Sequence, residues 1–296
     1  MLEQDLLYIL HREEGEREVH RAARQQAHEW GCIVSLAYHM PSLEGDHMYA
    51  ASSHHLMHRI AEGGEGRDEV QWFRDRMKAV AAEVRCLGKP VVLRLFHEMN
   101  GRWFWWGSKA EGGAEAYRGL FRRAVALIRE ETPLALFAWA PNIPCDAAAQ
   151  ACYPGDDVVD VIGLDCYDMG EEGCSPFEGD RSFASSLAAL RGFARGRAKV
   201  AAITETGNRK GGATRLGWWR QVHNAIAAGE GGPSGIAWVL AYGNAPWLRG
   251  KDGRLDNARA LVPHAESTPE QRSDFCAFAS LPTVRLLGSL CSGRLL

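Results

Sequence analysis

The chain has 296 residues, 46% of them apolar, enough for a single α/β barrel of about 250 residues with a sizeable core. Its formal charge of −3 offers no basic surface for nucleic acid or anionic lipid. No apolar stretch approaches the roughly 18 residues that a membrane-crossing helix needs, so membrane insertion is not expected.

The first residues, Met1-Leu2-Glu3-Gln4-Asp5, lack the basic region and apolar core of a signal peptide. Asp5–Leu10 is a candidate for one short strand. From there apolar runs alternate with amphipathic stretches, the mark of a parallel α/β fold. A helix over Glu16–Trp30 leads into a strand over Ile33–Tyr38. His47, His54, His55 and His58 follow; no cysteine or paired carboxylate completes a ligand set, so this stretch is read as a polar loop and no metal is expected. Asp68–Leu87 is the next helix, with Asp68 as its expected N-cap and Gly88-Lys89-Pro90 as its stop before a strand over Val91–Phe96. Helices over Ala114–Glu131, Phe183–Arg195 and Gly217–Ala228 alternate with strands over Leu134–Trp139, Val158–Leu164, Lys199–Thr204 and Gly235–Leu240. A last helix covers Pro269–Ala279. Gly-rich segments at 62–66 and 229–235 read as loops rather than linkers, so residues 1–296 are taken as a single domain.

Eight cysteines are scattered without a C-x-x-C pair, which excludes zinc-ribbon and thioredoxin-type readings. Cys32, Cys86 and Cys166 sit in or beside apolar segments and read as buried thiols. Cys145/Cys152 and Cys166/Cys174 are close enough in sequence for disulfides in an oxidising compartment.

The strands end in polar or aromatic residues: His39, then His97 and Glu98, Asn142, Asp165 and Tyr167, Glu205, then Tyr242 and Asn244. At the carboxyl ends of barrel strands such residues converge on one face and read as a site. The segment His97-Glu98-Met99-Asn100-Gly101-Arg102-Trp103-Phe104-Trp105-Trp106-Gly107 sets a carboxylic acid beside clustered aromatics. That pairing suits a sugar, whose C–H faces stack on rings while its hydroxyls need polar partners. A second strand-end carboxyl, Glu205, follows Val200-Ala201-Ala202-Ile203-Thr204. Partly buried carboxylates are costly unless they are paired or used. Two on one barrel face suggest glycoside hydrolysis, with retention if they lie about 5–5.5 Å apart. His97 and Tyr167 are candidate donors to the nucleophile.

The pattern HEMNG-x-WFWWG resembles the acid/base motif of glycoside hydrolase family 26, best known for β-mannanases. The resemblance runs from about Gly31 to Leu290. Arg94 to Gly101 matches the acid/base strand, which implies Glu98 as proton donor, and Trp103 corresponds to the family's tryptophan platform. Ser35 to Met40 resembles the strand whose terminal histidine, here His39, contacts sugar. Tyr153 to Asp168 implies that Asp165 and Tyr167 line the −1 site, and Ile203-Thr204-Glu205-Thr206-Gly207 matches the nucleophile strand. Tyr242-Gly243-Asn244 departs from the family's Trp-Arg-Asn. Tyr242 still offers an aromatic floor, but Gly243 supplies no guanidinium fork to a −2 sugar.

The resemblance implies a (β/α)8 TIM-type barrel with the acid/base on the fourth strand and the nucleophile on the seventh. Ile33–Tyr38 then becomes the third strand, preceded by only about 32 residues, whereas each βα unit needs roughly 30. The expected fold is therefore a barrel lacking its first one or two strands, with a start placed late or a gene fragment, which also accounts for a missing export signal in a family of secreted enzymes. The expected activity is retaining, endo-acting cleavage of β-1,4-mannosidic bonds by a monomer without cofactor. β-1,3-xylanase or mixed-linkage β-glucanase activity, or an inactive carbohydrate-binding homologue, are the alternatives.

Overall fold

Polar residues fill the first strand, and each has a distant partner. Leu2–Asp5 (β1) pairs parallel with Val34–Tyr38 (β2), setting Glu3 opposite Ser35 and Asp5 opposite Ala37. The Glu3 carboxylate accepts from Ser35 Oγ at 2.7 Å and from Arg94 Nη2 at 2.7 Å. Arg94 is fully buried, so this carboxylate supplies the countercharge that a guanidinium removed from water requires. Gln4 accepts from Arg24. The first strand thus begins earlier than the expected Asp5–Leu10. Asp5 ends it and caps a helix, Leu6–Leu10 (α1), by accepting from the Leu7 N–H at 2.9 Å.

The computed structural model describes residues 1–43, 48, 54–64, 66–109, 113–168, 183–208, 217–228, 235–241, 267–282 and 284. By its contacts the chain divides into two compact units. One comprises Met1–Asn142 with Asp146–Ile162; the other comprises Ile143–Cys145 with Gly163–Leu296.

In the first unit, Glu14–Glu29 (α2) connects β1 to β2. His54–Glu62 (α3) and Asp68–Leu87 (α4) connect β2 to Val91–Leu95 (β3). Gly113–Glu131 (α5) leads to Ala135–Trp139 (β4), and Ala147–Gln150 (α6) precedes Val161–Ile162 (β5). These strands lie side by side in chain order, every pair parallel. Every residue of β2 and β3 is buried, as unbroken apolar runs predict for strands covered on both faces. The α2 and α4 helices are clamped together by Glu83, a buried carboxylate that accepts from Arg21 Nη2 at 2.8 Å and Arg24 Nη2 at 2.5 Å. Gly88 closes α4 in the left-handed conformation at φ 64°, where glycine carries no Cβ penalty.

In the second unit, Asp165–Asp168 (β6), Ile203–Asn208 (β8) and Val239–Ala241 (β9) form a parallel sheet in that order. Phe183–Arg195 (α7) and Trp218–Ala227 (α8) make the intervening crossovers. Val200–Ala201 (β7) precedes β8 by one residue, and its Ala201 carbonyl accepts from the Ala237 N–H at 2.8 Å. Pro269–Ala279 (α9) starts with a capping box: Thr268 accepts from the Gln271 N–H while the Gln271 side chain accepts from the Thr268 N–H. Trp219 of α8 packs between Phe275 and Phe278 of α9.

Several local expectations are corrected. The N-cap of α4 is Arg67, and Asp68 sits in the first turn, where its charge meets the positive end of the helix dipole. The histidine-rich stretch is not all loop, since His54, His55 and His58 lie on α3; His47 lies outside the described residues. Cys86 is exposed on α4 rather than buried. Cys145 and Cys152 are thiols, not a disulfide, and the Cys152 thiol donates to Ser108 Oγ. Cys166 is likewise a buried thiol, and Cys174 lies outside the described residues. The strand expected over Val158–Leu164 is confined to Val161–Ile162, with β6 beginning at Asp165. Among the described residues no helix is long and apolar enough to cross a membrane.

Candidate active site

The end of β3 carries a backbone reversal that only strong local support can hold. Phe96 and Glu98 both adopt positive φ, 50° and 54°, a region costly for residues with a Cβ. Every carbonyl along the turn has a donor. Phe96 O accepts from Tyr117 Oη at 3.1 Å, His97 O from Trp106 Nε1 at 2.8 Å, and Glu98 O from the Gly101 N–H at 2.9 Å. The Glu98 N–H donates to Ala140 O at 2.7 Å. This explains the aromatic run in physical terms. Trp105 and Trp106 are buried, and their indole N–H groups donate to Met40 O and His97 O. Phe104 stacks on Trp106 at 4.4 Å between centroids. Of the aromatics in this run only Trp103 faces solvent, at 41% exposure. The run mainly braces the strained turn and the end of β2, and only its first member is exposed.

Glu98 is half-buried, with both carboxyl oxygens engaged. Trp103 Nε1 donates to Oε2 at 2.8 Å, and Asn142 Nδ2 donates to Oε1 at 2.9 Å. Gly101 permits the first of these bonds. A Cβ there would lie 2.5 Å from the Trp103 ring, so only glycine lets the indole fold back toward Glu98.

His39, at the end of β2, joins the same cluster. Its Nδ1 hydrogen-bonds to the Asp5 carboxylate, and its Nε2 lies 3.0 Å from His97 Nε2. Burial alone would push Asp5 up, but the His39 charge and hydrogen bond, with the Leu7 and His39 N–H groups, outweigh it and hold the carboxyl below its ordinary range. His97 is driven well below the ordinary imidazole value, first by burial and then by the charges of Arg94 and His39. It therefore stays neutral near pH 7. A histidine neutral in the fold but protonated when unfolded makes stability fall as pH drops below about 6.5. The His97 share of that slope is at most about 1.4 kcal/mol per pH unit. We expect His97→Gln to flatten the loss of unfolding free energy between pH 6.5 and 5.5, measured by urea titration. An unchanged slope would show that His97 does not bind its proton on unfolding. Asp5 titrates in a lower window: its contribution is present above about pH 3.9 and lost as pH falls through its lowered value.

In the second unit the parallel register sets Asp165 opposite Glu205 and Tyr167 opposite Gly207. Tyr167 Oη donates to Glu205 Oε2 at 2.5 Å, and Thr204 Oγ1 donates to Asp165 Oδ1 at 2.6 Å. Glu205 is 4% exposed and Asp165 fully buried. The phenolic O–H donated to this buried carboxyl holds it in one orientation.

The structure thus gathers Glu98, His97, His39 and Trp103 in one unit, and Asp165, Tyr167 and Glu205 in the other. Tyr242 lies outside the described residues. Sequence reasoning assigned no role to Asp5, Asn100 or Thr204, and noted Asn142 only as a polar strand end. Their partners lie 34 to 44 residues away for Asp5, Asn100 and Asn142, beyond any local pattern.

Over 226 residues the chain is 30% identical to a mannan endo-1,4-beta-mannosidase of Bifidobacterium adolescentis, an alignment covering 70% of this chain and 21% of that protein. It is also 30% identical over 153 residues to mannan endo-1,4-beta-mannosidase A and B of Caldalkalibacillus mannanilyticus, covering 46% of this chain and 29% of the relative. The chain therefore spans between a fifth and a third of the length of these relatives. The solved catalytic domain of an endo-beta-1,4-mannanase from Bacillus sp. JAMB-750 superposes with a TM-score of 0.76 at 24% identity, covering 97% of this chain and 77% of that one. That likeness establishes a parallel α/β fold of the TIM-barrel type. The model of glycosyl hydrolase family 26 matches residues 12–205, a span that opens just before α2 and ends on Glu205 itself, and on this match the chain belongs to that family.

Proposed function

We propose that the chain is a catalytic domain that hydrolyses internal β-1,4-mannosidic bonds with retention. One observation carries the reading: two glutamates in a family 26 chain, Glu98 just beyond β3 and Glu205 within β8, are each held by hydrogen-bond donors, Glu98 by Trp103 and Asn142, Glu205 by Tyr167. In the first step the Glu205 carboxylate attacks the anomeric carbon. The glycosidic C–O bond breaks, and Glu98 gives its proton to the leaving oxygen. In the second step Glu98 takes a proton from water, the water oxygen bonds the anomeric carbon, and the ester to Glu205 breaks. Tyr167 orients Glu205. Trp103 offers its exposed ring to a sugar face, and His39, His97, Asp165 and Tyr242 bind hydroxyls or the sugar ring. The residues in these roles need neither metal nor organic cofactor, and the proposed assembly is a monomer acting on a mannan-type polysaccharide.

The substitution of Tyr242-Gly243-Asn244 for Trp-Arg-Asn favours a second reading at the level of substrate, a β-1,3-xylan or mixed-linkage β-glucan. A screen of mannan, β-1,3-xylan and mixed-linkage glucan for new reducing ends separates the two. Release from mannan above the others is expected. Release only from xylan or glucan would move the substrate assignment, and release from none would favour an inactive binding homologue.

A further inference from the structure

Beyond β3 and β4 the two strand ends remain locked together by one more backbone bond and a pair of asparagines. Glu98 N–H donates to Ala140 O at 2.7 Å. Two residues further, the Asn100 side chain takes over the part of a peptide group. Its Oδ1 accepts from the Asn142 N–H at 2.8 Å, and its Nδ2 donates to Asn142 O at 2.6 Å. Only a carboxamide supplies one donor and one acceptor in that arrangement. With its backbone fixed at both ends, Asn142 presents Nδ2 to Glu98 Oε1 at 2.9 Å. The partner fixes the amide orientation, because the reverse flip would set an oxygen against the carboxylate.

We propose that Asn142, locked by Asn100, is a positioning residue for the acid/base carboxyl, holding Oε1 of Glu98 so that Oε2 is the oxygen that delivers and recovers the proton. The inference rests on the acid/base reading of Glu98 and extends it to a residue on the neighbouring strand end. Trp103 meets Oε2 from an exposed position open to solvent. Asn142 meets the opposite oxygen and needs no movement. The Glu98 backbone is held at positive φ, which leaves its side-chain torsions free, and Asn142 restricts them through Oε1. Loss of this bond leaves the nucleophile untouched and misplaces the acid. Its effect therefore scales with how much the leaving group needs protonation.

The test compares kcat and KM for mannohexaose and for dinitrophenyl β-mannobioside in the wild type, Asn142→Ala, Asn142→Asp and Glu98→Ala. Asn142→Asp keeps the side-chain shape and the backbone contacts to Asn100 but replaces the donor with a second acceptor, so it remains informative if Asn142→Ala folds poorly. For both Asn142 variants, kcat on mannohexaose is expected to fall about ten- to a hundredfold with KM little changed. Their kcat/KM on the aryl glycoside should stay within about threefold of wild type. Equal losses on both substrates, or wild-type values on both, would overturn the role of Asn142. If Glu98→Ala itself loses both substrates equally, the acid/base reading fails and this inference fails with it. If Glu98→Ala shows the leaving-group pattern and the Asn142 variants do not, the inference alone fails.

Discussion

Glu205→Ala is expected to abolish turnover on every substrate, activated or not, by about 10⁴-fold or more. A methyl group cannot bond the anomeric carbon, so no glycosyl-enzyme forms, and an easier leaving group does not replace the missing nucleophile. The fold should survive. Glu205 is buried and accepts from the Tyr167 hydroxyl, so the substitution removes one buried hydrogen-bond acceptor. Losing such a buried partner costs about 1–3 kcal/mol. Steady-state rates on mannan and on dinitrophenyl β-mannobioside, with a thermal melt beside them, give the answer. Retention of more than about a tenth of either rate would remove Glu205 from the nucleophile role.

Glu98→Ala should behave differently. On mannan the leaving alkoxide is a poor group without a proton, and the rate should fall about 10²- to 10⁴-fold. On the aryl glycoside the dinitrophenolate departs unaided, so the first step and kcat/KM are largely spared. Water then meets the glycosyl-enzyme without a base. The intermediate accumulates, and a burst of dinitrophenol equal to the enzyme present should precede slow turnover. The contrast between the two glutamates is the informative result: indistinguishable losses on the aryl substrate would reverse or cancel the assignment. The substitution removes the Glu98 oxygens to which Trp103 Nε1 and Asn142 Nδ2 donate, so a thermal melt beside the assay separates lost chemistry from lost fold.

How much of this was legible in the sequence follows the range of the forces involved. The α4, α7 and α9 helices begin and end where their periodicity and flanking residues indicate, because their stops are local: Gly88 after α4, and Thr268-Pro269 before α9. The strand Val91–Leu95 was equally plain as an apolar run bounded by Pro90 and the polar turn. By contrast, β1 reads LEQD and carries no strand period. Glu3 and Gln4 belong there because of Arg94 and Arg24, at separations of 91 and 20 residues. The α3 helix was hidden by its histidines, which carry no capping or period signal of their own.

At the site, residue types that carry chemistry were visible and their supports were not. Glu98 and Glu205 announced themselves as charges closing apolar runs. Tyr167 stands two positions beyond Asp165 and meets Glu205 through the register of β6 and β8. Asn142 is legible only as one polar strand end among several, and Asp5 only as part of a candidate strand, until the strands are laid side by side and their partners appear. The aromatic run was over-read as a sugar surface. Sequence could not show that Trp105 and Trp106 spend their N–H groups on backbone carbonyls, Met40 O beyond β2 and His97 O in the strained turn.

The measurement that bears most directly on the account is the anomeric form of the first product from a manno-oligosaccharide, followed by proton NMR before mutarotation. Double displacement through Glu205 predicts that β-anomer appears first and relaxes to the equilibrium mixture afterwards. It also requires the two carboxyl groups to stand about 5–5.5 Å apart during catalysis. α-Anomer as the first product would mean direct attack by water, and would contradict the nucleophilic role of Glu205.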